Sequence, residues 1–183
     1  MKNIEIIDTR ENLIKLLPKN KKVLEIGVFK GDFSKYLHTQ LEPEELFLND
    51  IFTGRMGSGD KDGNNMIFVN LDDEYKNLLS FFDRYDNVKF LKGRSVDVLS
   101  NISDDYLDIV YIDGSHEYDD VKSDLMLSHI KVKNNGYICG HDYNLNRFPG
   151  VCKAVDEFCL EKGLHIVYLT KDGCPSYCII NKK

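Results

Sequence analysis

Two strand-like runs in this sequence end in side chains able to hold a cation or move a proton. Residues 107–112 (LDIVYI) lead into Asp113-Gly114-Ser115-His116, and residues 136–140 (GYICG) lead into His141-Asp142. As neighbouring parallel strands about 4.8 Å apart, the two runs would share one carboxyl edge. Asp113, His116, His141 and Asp142 would then converge on one crevice. Two carboxylates and an imidazole form a donor set for a divalent metal. His116 is a separate candidate proton acceptor, because imidazole titrates near neutrality. The plainer structural alternative is that Asp113 caps a helix starting near Glu117 while the histidines hydrogen-bond within loops.

A second set lies nearer the start of the chain. The run 23–27 (VLEIG) turns through Val28-Phe29-Lys30-Gly31 into a helix pattern. Gly27 permits a tight strand-to-helix turn and a close backbone approach, and the helix start near Gly31 aims free N–H groups at an anion. The turn is not a P-loop, since no GK[ST] follows, nor a GxGxxG, since Phe29 occupies the middle glycine position. Asp50 ends the next strand-like run, where an acidic side chain can accept both hydroxyls of a ribose. Glycine turn and acidic strand end together point to a nucleoside-containing cofactor. Nicotinamide cofactors and S-adenosylmethionine both satisfy that description.

The elements that must position these residues alternate. Short apolar runs at 23–27, 46–51, 88–92, 107–112 and 136–140 read as buried parallel strands. Helical spacing joins Tyr75, Leu78, Leu79 and Phe82, and again Tyr118, Val121 and Leu125. Asp8 with Glu11 has capping-box spacing for a first helix carrying Leu13, Leu16 and Leu17. A helix over about 150–162 leads to strand 164–169, a Gly-containing loop and strand 177–180, a hairpin in which one strand runs antiparallel. The expected fold is α/β, a Rossmann-like doubly wound sheet of seven strands, mostly parallel, with one antiparallel strand in a C-terminal hairpin. Residues 1–183 are expected to form a single domain. Residues 53–66 hold four glycines directly after a strand, and they read either as a substrate lid or as a surface loop, with Arg55, Met56, Asp60 and Asp62 offering a mixed polar surface.

Composition narrows the function classes. The 183 residues are 42% hydrophobic and 30% charged, a globular balance without linker tracts. Apolar runs are too short to cross a membrane, and the N-terminus lacks the apolar stretch of a secretory signal. A formal charge of −6 argues against tracking a nucleic-acid backbone, and the cluster Lys15, Lys19, Lys21 and Lys22 reads as a solvated helix end. Five cysteines without a secretory signal lead to the expectation of reduced thiols and a cytoplasmic location, and none has a metal-pair spacing such as CxxC.

With these residues placed, the sequence resembles the class I S-adenosylmethionine-dependent methyltransferases over nearly its whole length. VLEIGVFKGDFS is similar to that family's cofactor-binding first motif, relaxed at Phe29. YIDGSHEYDDVKSDL, NNGYICGHDY and PGVCKAVDEF resemble a small group that includes metal-dependent macrolide sugar O-methyltransferases, similar in layout to the catechol O-methyltransferases. The resemblance implies that Glu25, Gly27, Val28 and Gly31 line the methionine half of S-adenosylmethionine, and that Asp113 also borders the cofactor. It implies that Asp50 holds the ribose, Ile51 lies against the adenine and Ser95, in Gly93-Arg94-Ser95, lies beside it. Asp113 matches a metal-binding aspartate, and His141-Asp142 falls where the metal-dependent members carry an acidic pair. His116 falls where the catechol enzymes carry a lysine base.

The function so implied is O-methylation of a small-molecule hydroxyl, with His116 as base and magnesium or another divalent metal on Asp113, His141 and Asp142. Histidine at 141 departs from the all-oxygen sets that hard ions take. A homodimer is allowed; a nucleic-acid or membrane partner is not expected. Three other readings share the residues: a nicotinamide-dependent oxidoreductase, a non-catalytic binder of adenosine compounds, and a metal-dependent hydrolase.

Overall fold

The computed structural model describes residues 3–58 and 67–183. Its elements in chain order are β1 (Glu5–Ile7), α1 (Arg10–Lys15), β2 (Lys22–Ile26), α2 (Asp32–Leu41), β3 (Glu45–Asp50), β4 (Arg55–Ser58) and β5 (Ile67–Asn70). They continue with α3 (Leu71–Phe82), β6 (Val88–Lys92), α4 (Ser95–Ser100), β7 (Leu107–Ile112), α5 (Tyr118–Lys131), β8 (Val132–Gly140), α6 (Pro149–Lys162), β9 (Ile166–Thr170) and β10 (Tyr177–Ile180).

Eight strands form one mixed sheet in the order β1-β9-β10-β8-β7-β2-β3-β6. From β2 the chain steps outward through β3 to β6, then crosses back to β7 on the other flank of β2. That reversal opens a crevice at the carboxyl ends of β2 and β7, the place where doubly wound sheets bind ligands. Seven of the strands are those the apolar runs predict. The eighth, β1, is only three residues long and joins the far edge parallel to β9, with Glu5 opposite Tyr168. As expected, β10 is antiparallel, to β8 and β9 alike.

Alternation along the strands explains the layering. In β2, Val23 packs with α1, α2 and α3 through Leu13, Leu37 and Leu78, whereas Leu24 faces Leu125 and Phe158 of α5 and α6. Both faces of the central strands are therefore covered, which is why their sequences read as unbroken apolar runs.

Three local details differ from the sequence reading. The first helix is capped by Thr9, whose Oγ1 accepts the Asn12 N–H at 3.3 Å; Asp8 instead pairs with Lys171 at 2.8 Å. Strand β8 begins at Val132, directly after α5, and its pairing with β7 shifts register between Val132 and Tyr137, a stretch in which Asn135 has φ +64°. Within 53–66, Arg55–Ser58 form a strand paired antiparallel with Ile67–Asn70, so the segment is not all loop. Residues 59–66, Asp60 and Asp62 included, lie outside the described residues. The five cysteines are free thiols, and no helix among the described residues is long and apolar enough to cross a membrane.

Gly27 is where the fold tolerates least change. Its φ is +89°, and a Cβ there would lie 2.1 Å from the carbonyl oxygen of Asp113 and 2.7 Å from Cα of Gly114. Gly27→Ala combines a disfavoured backbone with a clash against another backbone. It is expected to lower stability by about 3 kcal/mol, read as a drop in the urea midpoint; an unchanged midpoint would mean the two turns do not meet this closely.

Candidate active site

Asp50 at the end of β3 organises the turn after β2. Its Oδ2 accepts the N–H groups of Val28 and Phe29, both at 2.9 Å, and its Oδ1 accepts the Phe52 N–H at 3.1 Å. A carboxylate has roughly four acceptor positions, so one on Oδ1 stays open for a hydroxyl. Gly31, with φ +75°, starts α2, and a Cβ there would strike Leu78 of α3. Glu25 lies fully buried in β2 and accepts the Ser34 hydroxyl.

Two cavities open on this turn. One, of about 320 Å³, lies between Gly27 and Asp50-Ile51 on one side and Arg94-Ser95, Asp113 and residues of α5 on the other. The second, of about 460 Å³, runs along residues 27–33, with Glu25, Arg10 and His116 on its wall. Gly27, Phe29, Asp113 and Gly114 border both cavities. An elongated ligand could therefore occupy the two together, bending where the glycine turn meets the end of β7.

Asp113 is also the meeting point of the charged cluster. Asp113, His141 and Asp142 each offer a donor atom, and these atoms all lie within 4.8 Å of one another. His141 Nδ1 is 3.1 Å from Asp142 Oδ1 and 3.6 Å from Asp113 Oδ1. His116 Nε2 bonds Asp142 Oδ2 at 2.8 Å, and its ring stacks on Phe148 with centroids 4.2 Å apart. That leaves Nδ1 of His116 as the ring nitrogen available to a ligand. Two carboxylates with an imidazole suit a divalent cation of mixed nitrogen and oxygen preference, so the donor set fits such an ion.

Electrostatics separates the carboxylates. Burial works against ionising Asp142, but hydrogen bonds from His116 and His141 outweigh it and hold its carboxyl well below the usual range. The bond to Asp142 in turn raises the His116 imidazole. Burial raises Asp113, opposed by His141 and Arg10 and reinforced by Asp142. Glu25 is pushed up to about 8, chiefly by burial, with the Ser34 hydroxyl opposing and the Asp113 charge adding to it.

The structure thus brings Glu25, Val28 and Gly31 to the second cavity, Asp50, Ile51 and Ser95 to the first, and Gly27 and Asp113 to both. His141 and Asp142 border neither; with Asp113 and His116 they line a recess of only about 10 Å³. Several residues of the site had gone unread in the sequence. Arg10 donates to Asp113 Oδ2 at 3.2 Å and lies over the Phe33 ring at 4.3 Å. Its one signal is a cation in the first turn of a helix, against the helix dipole. Phe148 carried none. Asp124 did: it falls on the buried stripe Val121, Asp124, Leu125 and Ser128 of α5, where an acid is out of place.

Comparison with known proteins gives three results. A family described as a methyltransferase domain matches residues 24–143. No curated protein matches the chain in sequence. Among solved structures, the O-methyltransferase NovP superposes with a TM-score of 0.68 at 19% identity, over 95% of this chain and 80% of that one. The N-methyltransferase NodS from Bradyrhizobium japonicum WM9 gives 0.64 at 14% identity, over 95% of each chain. Spermidine synthase from Thermotoga maritima gives 0.61 at 15% identity, over 93% of this chain and 56% of that one, so the chain spans little more than half the length of that enzyme. At these identities the likeness is one of fold.

Glu25 carries a measurable consequence. Its folded value of about 8 lies above the ordinary 4.5, so the folded chain holds this proton more tightly than the unfolded chain. The associated stability is complete below the unfolded value and is lost as pH rises through the folded one. Glu25→Gln cannot ionise, so its melting temperature should fall less between about pH 5 and pH 8 than that of the wild type. Parallel declines in the two proteins would show that Glu25 is ionised throughout.

Proposed function

The chain belongs to the methyltransferase-domain family, and from that premise we propose that it transfers the methyl group of S-adenosylmethionine to a hydroxyl of a small molecule. The observation that carries this reading is the pair of cavities sharing the wall at Gly27, Phe29, Asp113 and Gly114, with His116 on the second. The nucleoside occupies the 320 Å³ cavity, its ribose on Asp50 and its base between Ile51 and Ser95. The amino-acid half lies along residues 27–33 beside Glu25, where the Arg10 guanidinium supplies a cation for its carboxylate. The reactive carbon then sits where the two cavities join.

Methyl transfer asks little covalent chemistry of the protein. The sulfonium makes the methyl carbon electrophilic, and an acceptor oxygen held in line attacks it. The new O–C bond forms as the C–S bond breaks, giving S-adenosylhomocysteine. His116, oriented by Asp142 and stacked on Phe148, accepts the hydroxyl proton at Nδ1. Asp113, His141 and Asp142 would hold a divalent cation, which supplies charge stabilisation for an oxyanion when bound. The net charge of −6 supports a small-molecule acceptor over a nucleic acid. Arg10 and Phe148, both outside residues 24–143, complete the site, which supports residues 1–183 working as one domain.

Calorimetric titration of the folded protein tests the cofactor. S-adenosylmethionine and S-adenosylhomocysteine are expected to bind saturably, with NAD giving no heat; silence from both sulfur compounds would overturn the proposal. Once an acceptor is found, His116→Ala should lower turnover about 10²- to 10⁴-fold while the cofactor dissociation constant stays within about threefold. Unaltered turnover would remove His116 from the mechanism.

A further inference from the structure

We propose that Tyr111 is a positioning residue of the cleft, its hydroxyl fixing the Arg10 guanidinium from within the sheet so that Arg10 stands ready for the cofactor's carboxylate. The inference rests on the S-adenosylmethionine reading and adds to it a buried side chain of β7 and the C-terminal hairpin behind it.

The Tyr111 ring lies fully buried, with its centroid 4.6 Å from that of Phe33. A phenylalanine would fill that space equally well, so packing does not account for the hydroxyl. That hydroxyl bonds Ser176 Oγ at 2.9 Å on one side and meets the Arg10 guanidinium on the other. The Ser176 N–H donates to Thr170 Oγ1 at 2.7 Å, and the Thr170 hydroxyl donates to Asp172 Oδ1. Asp172 Oδ2 then accepts the Arg10 N–H at 3.1 Å. The contacts close into a ring that leaves Arg10 through its side chain and returns to its backbone. Ser176 and Thr170 are as deeply buried as Tyr111, which shields these bonds from water. The phenol oxygen can accept from the guanidinium while its proton goes to Ser176 Oγ, so the two contacts are compatible.

A free arginine has many rotamers and loses that freedom when it meets a ligand. Here the ring holds Arg10 at both ends. The Phe33 face supports the guanidinium at 4.3 Å, and Nη1 is turned onto Asp113 Oδ2 at 3.2 Å. The guanidinium has more donors than these contacts use, and Arg10 stands on the wall of the 460 Å³ cavity. A cation fixed before binding gives up less on contact than one that must be ordered. Tyr111 itself lines neither cavity, so its effect on a ligand passes through Arg10.

Calorimetry on the full chain compares S-adenosylhomocysteine with its decarboxylated analogue, which keeps the nucleoside, the sulfur and the amine. Arg10→Ala should weaken the parent about 10- to 100-fold and the analogue by no more than about twofold. Tyr111→Phe, which deletes one hydroxyl and keeps the ring, should weaken the parent about three- to tenfold and again leave the analogue within about twofold. In an Arg10→Ala background the same substitution should add nothing to the loss, as two groups acting in series require. A phenol with a merely structural role would weaken both compounds alike, or neither, or act equally in both backgrounds; any of these results would overturn the assignment. If Tyr111→Phe does not fold, Ser176→Ala removes the next member of the ring and carries the same comparison. No binding of S-adenosylhomocysteine to the folded wild type would instead remove the cofactor reading itself, a result distinct from equal losses of the two compounds.

Discussion

The cleft depends on the parallel ladder continuing one rung beyond the strands. Past each strand end, the next backbone N–H hangs from the neighbouring strand: Gly93 on Asp50 at 3.0 Å, Gly27 on Asn49 at 2.8 Å, Asp113 on Ile26 at 2.7 Å and His141 on Ile112 at 2.9 Å. These four bonds run across β6, β3, β2, β7 and β8 and bring their first loop residues to one edge. Gly27 then lets the first turn press directly on Asp113 and Gly114, and Asp50 collects two further N–H groups from that turn. The positions of Asp50, Asp113 and His141 are consequences of strand register and need no special loop chemistry.

That arrangement concentrates acid, and the structure resolves the resulting repulsion one group at a time. Asp50 is satisfied by three backbone N–H groups. Asp142 is held by two histidines. Asp113 shares Arg10 and His141, and Glu25, deep in the sheet, keeps its proton near neutrality. The site therefore presents fewer full negative charges than its composition suggests. Histidine at 141 extends the same economy of charge, placing an imidazole where a third carboxylate would have crowded Asp113 and Asp142.

How much of this was legible follows from burial. Central strands covered on both faces must be continuous apolar runs, so β2, β3, β7 and β8 were readable together with the acids and histidines that follow them. β1 was not: three residues with an exposed pair carry no periodicity. The β4–β5 hairpin was hidden as well, since RMGS has little strand propensity. Thr9 took the cap from Asp8 because a neighbouring hydroxyl served equally well and Lys171 occupied the aspartate. Arg10 offered only its unfavourable place in the first turn of α1, because its partner Asp113 is 103 positions away. Asp124 was within reach, as an acid beside the apolar face formed by Tyr118, Val121 and Leu125.

The pairing of β1 with β9 has a consequence for the order in which the site is built. Glu5 and Ile7 find their partners at Tyr168 and Thr170, and the Arg10 N–H is anchored on Asp172 at 3.1 Å. A chain emerging from the ribosome makes Arg10 162 positions before the Asp172 that anchors its N–H. The Rossmann-like centre can close from local βα units well before then, whereas contacts of this sequence separation carry the largest loop-closure cost and form late. Until they form, Asp113 lacks its arginine counter-charge. The active cleft thus draws on the costliest loop closure described here, the return of the C-terminal hairpin to β1.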